Sequence, residues 1–131
     1  MSLFLSIFWP PMLVLSLHIL RVLIFPEAYS VDMLAHFLGG ASIALVAWKL
    51  IRALTERRFL PAFPRWLSRF MCIATTELVG VLWEFWEFYI QNRFMYMGIT
   101  LEDTMSDLLL DLCGAVVITS VLVCTRRDRH R

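Results

Sequence analysis

Charged residues are scarce in this chain of 131 residues: Asp, Glu, Lys and Arg make up 18% of it, whereas 60% is hydrophobic. A water-soluble domain needs more polar surface than this, so the composition indicates a polytopic membrane protein formed as one domain, residues 1–131. Cysteine is scarce as well. Three cysteines, an odd number with no C-x-x-C spacing, argue against a disulfide framework and against zinc bound by thiolates.

Several signatures of exported proteins and soluble enzymes are also missing. The first apolar run has no Lys or Arg before it and no small-residue cleavage site after it, so we interpret it as a retained helix rather than a signal peptide. The sequence contains no glycine loop that could cradle a phosphate and no Ser or Cys in a nucleophile motif. The basic segments fit topology signals and contacts to anionic lipids. We therefore expect membrane lipids as partners, with no nucleic acid and no organic cofactor.

Long apolar segments dominate what is present. Each is close to the roughly 20 residues that cross ~30 Å of hydrocarbon as a helix. Helices are the only sensible assignment, because backbone groups in lipid must be satisfied within the segment and barrel strands would be half as long. The sequence therefore predicts an all-α polytopic membrane protein, a four-helix bundle whose transmembrane helices cover about residues 3–24, 31–51, 66–90 and 104–124.

The basic residues are distributed unevenly between the predicted loops. Ten of the 12 fall on one side of the predicted membrane. An excess of Lys and Arg marks the cytoplasmic face. We therefore predict a multi-pass protein of the bacterial inner (plasma) membrane with both termini and the central loop in the cytoplasm. The residues on that side are Lys49, Arg52, Arg57, Arg58, Arg65, Arg69, Arg126, Arg127, Arg129 and Arg131.

This topology gives a first testable prediction. Single cysteines introduced for accessibility labelling in cells should place Pro26 and Tyr96 outside and Arg58 and Arg131 inside, because the basic residues hold their loops in the cytoplasm. Labelling of Arg58 and Tyr96 from the same side would contradict the topology.

Ionisable residues nevertheless occur inside the apolar segments. Such groups are costly at membrane depth and rarely face lipid, so by default they mark an ion, proton or substrate site. With the predicted topology, nearly all of them fall within roughly 10–12 Å of the outer boundary at 1.5 Å per residue, and Glu77 alone lies near mid-membrane. They are Asp32, His36, Glu77, Glu84, Glu87, Asp103, Asp107 and Asp111.

Helical periodicity places each acidic set on one face. At 100° per residue, Asp103, Asp107 and Asp111 fall within an arc of about 80°. The acidic residues of the second and third helices share arcs of similar width, and each face also carries glycine, which lets membrane helices approach closely. We therefore expect three polar faces to turn toward a common interior, with His18 and Arg21 of the first helix nearby as auxiliary residues.

Carboxylates gathered in a low-dielectric site must either take up protons or be neutralised by a cation. Oxygen and imidazole ligands one helical turn apart suit magnesium, manganese, calcium or zinc, and bundle metal sites are built from facing helices in this way. A hydrogen-bonded structural network is the alternative. The predicted metal ligands are Asp32, His36, Glu84, Asp107 and Asp111, the predicted catalytic bases are Glu77 and Glu87, and Asp103 is auxiliary with His18 and Arg21.

The same motifs resemble a known family. The runs Asp32-x3-His36-Phe37-x-Gly39, Trp83-Glu84-x2-Glu87 after Glu77, and Asp103-x3-Asp107-x3-Asp111-x2-Gly114 are similar to those of the YjdF-like family of small bacterial inner-membrane proteins. VanZ-like proteins, which are associated with glycopeptide-antibiotic tolerance, are a more distant resemblance. The resemblance covers about residues 29–118 and implies architecture and site residues rather than an activity. The loop before the last helix departs from the family pattern.

Three functions are compatible with these observations. The leading interpretation is a metal-dependent membrane enzyme that acts on a lipid or envelope substrate at the outer leaflet. The second is a cation or proton translocator with Glu77 as its relay in mid-membrane. The third is a structural or assembly subunit without catalysis. A second copy of the chain or a partner subunit could complete the pocket in any of the three.

Overall fold

The computed structural model describes residues 3–24, 29–90, 93 and 100–127, with side chains over 7–24, 29–90, 93 and 100–122. Within these residues the chain is helical and contains no strand, which confirms the predicted all-α class. Most of the predicted outer loops, and the C-terminal tail from 128, lie outside the described residues. The four helices are α1 (Leu3–Ile24), α2 (Tyr29–Glu56), α3 (Arg65–Ile90) and α4 (Leu101–Arg127).

Three of these helices are long and apolar enough to cross a membrane, with spans at Ile7–Ile24, Tyr29–Glu56 and Leu101–Leu122. Helix α3 has the length but not the apolarity, because it carries three glutamates. Most of its exposed side chains are nevertheless large and apolar, including Leu78, Leu82 and Phe85. Because none of the three glutamates of α3 is fully exposed and most of its exposed residues are apolar, the outer face of α3 suits a hydrocarbon environment.

Helix α2 extends beyond its predicted end at residue 51. The apolar run stops there, but Arg52 Nε donates to Glu56 Oε1 over 2.6 Å and supports a further turn. Arg58 then adopts φ 62°, and the Phe59 amide donates to the Leu54 carbonyl oxygen over 2.9 Å. This left-handed residue after the last turn is a typical helix C-cap.

Helix α4 begins three residues before its predicted start. The Thr100 hydroxyl accepts from the Asp103 amide over 3.2 Å, which is the usual N-cap bond to the third residue of a helix. The extra turn brings Asp103 into the helix, where its negative charge is favourable near the N-terminus.

Helix α2 is central to the bundle. Its contact with α4 is the most extensive, α3 packs on both α2 and α4, and in the described residues the backbone of α1 packs against that of α2. The α2–α4 crossing depends on Gly40 and Gly114, each of which lies directly against the backbone of the other helix. Farther along α2 toward its C-terminus, Ala44, Ala47, Cys72 and Ala115 form a core of small buried side chains. The polar residues described next lie at the opposite end of the bundle.

Candidate functional site

His36 is the centre of the polar cluster. Its Nε2 lies 3.7 Å from Asp107 Oδ2 and its Nδ1 lies 3.8 Å from Asp111 Oδ2, so the two aspartates of α4 flank the imidazole of α2. All three residues are buried. The one-turn spacing of Asp107 and Asp111 produces this arrangement, because residues four apart on a helix share a face.

Helix α3 contributes two glutamates to the same imidazole. A nitrogen of His36 and a carboxylate oxygen each from Glu84 and Glu87 lie within 4.8 Å of one another. His36 is 5% exposed and Glu84 is 7% exposed, and His36 Nε2 and Glu84 Oε1 have no hydrogen-bond partner. Buried polar atoms are rarely left unpaired in folded proteins. This group of three residues could hold a metal ion.

A second group adjoins the first and contains the only described cation of the cluster. Arg21 of α1 binds Asp32 of α2, with 2.7 Å between the Arg21 guanidinium nitrogen and Asp32 Oδ2. His18 lies between the groups: its Nδ1 is 3.4 Å from Asp32 Oδ1 and its Nε2 is 3.8 Å from Glu87 Oε1. The His18 and His36 rings are 6.3 Å apart. Asp32 therefore pairs with Arg21 and contacts His18.

The remaining predicted residues lie at the margins. Asp103 accepts a 2.5 Å hydrogen bond from the Tyr29 hydroxyl, which joins the starts of α4 and α2. Glu77 lies two turns before Glu84 on α3 and is only partly buried, although its Oε1 is enclosed and has no hydrogen-bond partner. Neither Asp103 nor Glu77 belongs to the group of His36, Glu84 and Glu87.

Glycine allows Asp111 to lie between α2 and α3. A Cβ atom at Gly80 would lie 2.8 Å from Asp111 Oδ2, and a Cβ at Gly39 would lie 3.7 Å from Asp111 Oδ1. Any side chain at Gly80 would therefore displace the carboxylate. Gly80, noted in the sequence beside the acidic residues, thus has a local role, since it leaves room for Asp111.

Two aromatic residues of the site were not predicted from the sequence. Tyr29 holds Asp103, and the Trp83 ring meets the His18 ring edge-on at a centroid distance of 5.2 Å. Trp83 could have been predicted as a site residue from the sequence, because it directly precedes Glu84. Tyr29 could not have been predicted, because aromatic residues at a membrane boundary are common whether or not they bind a partner.

A cavity of about 310 Å³ adjoins the cluster. Its walls come from α1, α2 and α3 and are almost wholly apolar. His18, His36 and Asp111 line it as well, so the cavity reaches the polar residues. A cavity of this size is at the lower end of the range for small-molecule sites.

These features define a helical membrane protein with a buried histidine–carboxylate cluster at one end of its bundle. The chain belongs to the family described as "Predicted membrane protein (DUF2238)", which matches residues 12–129. This membership confirms the resemblance to YjdF-like membrane proteins, whereas the more distant resemblance to VanZ-like proteins stays a prediction. No curated protein and no solved structure matches the chain.

Proposed function

We propose that the protein is a divalent-cation-dependent membrane enzyme that acts on a lipid or envelope substrate. The observation that carries the proposal is the group of His36, Glu84 and Glu87, whose ligand atoms lie within 4.8 Å of one another. Two of those side chains are more than nine-tenths buried and each has an unpaired polar atom. A cation would pair these atoms and would offset the repulsion between the two glutamates.

In the proposed site His36, Glu84 and Glu87 bind the cation, and Asp107 and Asp111 hold the imidazole from α4 or complete the ligand set. Hydrogen-bonding partners of a ligating imidazole fix its tautomer and orientation. One imidazole with carboxylates suits manganese or zinc better than calcium, which takes about 6–8 oxygen ligands. Asp32 stays paired with Arg21 and neutralises it beside the site.

A cation at this position would polarise an ester or phosphoryl oxygen or activate a water molecule. By the distribution of basic residues, the cluster lies at the outer leaflet of the inner membrane. A substrate would reach it from the bilayer or from the envelope side, through the cavity that adjoins the cluster.

Cation binding is tested by thermal unfolding of the purified protein in detergent. A ligand that binds only the folded state stabilises it by about 2.7 kcal/mol at 100 times its dissociation constant, so the wild type should melt higher with manganese or zinc than with chelator. Elemental analysis of the purified protein should find the same metal. A wild type that is indifferent to every divalent cation and to chelator would contradict the proposal and favour a structural network.

The matched variants are Glu84→Gln and Glu102→Gln. Glutamine keeps the size of glutamate and one acceptor oxygen but removes the charge. Glu84→Gln should therefore lose most of the cation-dependent stabilisation, whereas exposed Glu102, in the first turn of α4, should be replaceable without effect. Equal loss in both variants would show that the cation interacts with the protein's overall charge and not with this site.

A cation or proton translocator is the second candidate, and Glu77 favours it. This glutamate lies about 10 Å deeper along α3 than Glu84 and has an enclosed, unpaired oxygen. Beyond it, however, the Thr75 and Thr76 hydroxyls donate to carbonyl oxygens of their own helix, at 2.8 Å and 3.0 Å. Flux across proteoliposomes that Glu77→Gln abolishes would favour translocation over catalysis.

A further inference from the structure

The apolar cavity lies in a gap of the bundle. The backbone of helix α1 packs on α2, and α1 meets α3 through the His18 side chain, which contacts Trp83 and Glu87, although both helices line the cavity over a greater length. Away from His18, the space between α1 and α3 is a cleft with α2 as its floor, open to the side of the bundle. In a membrane, the side of a bundle faces lipid acyl chains, and we call this space the α1–α3 cleft.

The length of the α1–α3 cleft is that of one acyl chain in a bilayer. On α1 its lining extends from His18, beside the polar cluster, to Phe8. Ten residues of helix correspond to ~15 Å, which is half of the ~30 Å hydrocarbon thickness. One end of the cleft is thus at the depth of the cluster, whereas the other end, at Phe8, is near the inner end of the α1 span Ile7–Ile24.

The cleft walls alone cannot select a ligand. An acyl chain that moves from the bilayer into an apolar cleft gains no hydrophobic free energy, because lipid tails are as apolar as the side chains that line it. Selectivity must come from the headgroup, which lies where the cleft meets the cluster at His18, His36 and Asp111.

The charges of the cluster determine which headgroup fits. Its five carboxylates, when ionised, carry more negative charge than Arg21 and one divalent cation can neutralise, and His36 is neutral when it binds a metal. A headgroup with a cationic hydrogen-bond donor complements the excess. A primary ammonium group provides three donors, whereas a quaternary ammonium provides none. The five carboxylates are those of Asp32, Glu84, Glu87, Asp107 and Asp111.

We infer that the substrate is a membrane phospholipid with a primary-amine headgroup, bound with one acyl chain in the α1–α3 cleft and its ammonium group at the acidic cluster. This inference rests on the proposed function, because it names the substrate class of the same site. It adds the route of access, which is sideways from the bilayer between α1 and α3, and it assigns the apolar lining residues a function in binding.

Photo-crosslinking tests the inference. The protein is reconstituted into phosphatidylcholine vesicles that contain phosphatidylethanolamine with a diazirine in the middle of one acyl chain. A parallel sample carries the same chain on phosphatidylcholine. Peptide mass spectrometry should find the ethanolamine probe on cleft residues such as Val14 and Val79. Its labelling there should exceed that by the choline probe about tenfold, the ratio that one charge-assisted hydrogen bond produces.

The matched variants are Val14→Trp and Leu13→Trp. Val14 lines the cleft, whereas its neighbour Leu13 is exposed and does not. Tryptophan at Val14 should fill the cleft and abolish labelling of Val79, while tryptophan at Leu13 should leave that labelling unchanged. Ile43→Trp blocks the cleft from α2 and replaces Val14→Trp if that variant does not fold.

Labelling that is equal on Leu13 and Val14, or that survives both blocking variants, would overturn occupancy of the cleft. Equal labelling by the two probes would overturn the assignment of the headgroup. The inference and the proposed function fail separately. If melting depends on a cation but the cleft is not labelled, the proposed enzyme stands and the assignment of this lipid fails. If selective labelling persists in chelator, the lipid assignment is supported and the role of the cation is not.

Discussion

Gly40→Ala is expected to reduce the free energy of unfolding by about 3 kcal/mol, the upper part of the usual range for overpacking. The added Cβ would overlap the backbone of Asp111 on α4, including its carbonyl oxygen and Cα. Backbone atoms cannot rotate away as a side chain can, so α2 and α4 must separate. The higher helix propensity of alanine offsets at most about 1 kcal/mol of this loss.

Gly39→Ala is the matched control. The nearest atom to a Cβ at Gly39 is Asp111 Oδ1 at 3.7 Å, an ordinary van der Waals contact. Unfolding in mixed detergent micelles should therefore show Gly39→Ala close to wild type or slightly stabilised. Gly114→Ala should behave as Gly40→Ala does, because its Cβ would meet the backbone of Phe37 and Ala41. Equal stability of the Gly39 and Gly40 variants would contradict the close α2–α4 crossing.

Arg21→Met is expected to cost about 3 kcal/mol of stability, because it leaves a buried carboxylate without its partner. The side chains of Arg21 and Asp32 are only 12% and 15% exposed, and they meet at 2.7 Å. Removing one member of a buried ion pair costs more than removing both. The double variant Arg21→Met/Asp32→Leu should therefore recover most of the lost stability.

The chain contains its own control for this prediction. Arg52 and Glu56 meet at 2.6 Å but are 58% and 60% exposed. Exposed pairs of this spacing contribute about 0.3–0.5 kcal/mol, so Arg52→Met should hardly change the unfolding midpoint. If Arg21→Met costs no more than Arg52→Met, Arg21 and Asp32 are not a buried pair in the membrane.

Much of this arrangement could be predicted because it depends on local rules. Helix number follows from apolar length, and the shared face of Asp107 and Asp111 follows from the helical repeat. Both aspartates flank His36 as a common polar interior requires. The last turns of α2 and the first turn of α4 were not predicted, because apolarity marks only the membrane boundary. The end of α2 is supported by the pair of Arg52 and Glu56, and the start of α4 by the cap at Thr100.

The partners of α1 could not be predicted in the same way. Which side chains of α1 meet α2 depends on the rotation and depth of α1, and an almost uniformly apolar helix has no periodic signal for either. A long cationic side chain such as Arg21 could equally extend to the membrane surface. For this reason the pairing of Arg21 with Asp32 required the structure.

The glutamates of α3 have a consequence for how the chain enters the membrane. On insertion scales, one charged side chain at a helix centre costs ~2.5–3.5 kcal/mol, and α3 carries three glutamates and fails as a span on its own. We therefore expect its insertion to depend on α2, already in the bilayer, and on α4, which follows it out of the ribosome. If only α1, α2 and α4 inserted, α4 would cross the membrane in the opposite direction. The side of the membrane on which the C-terminus is found therefore reports whether α3 has been integrated.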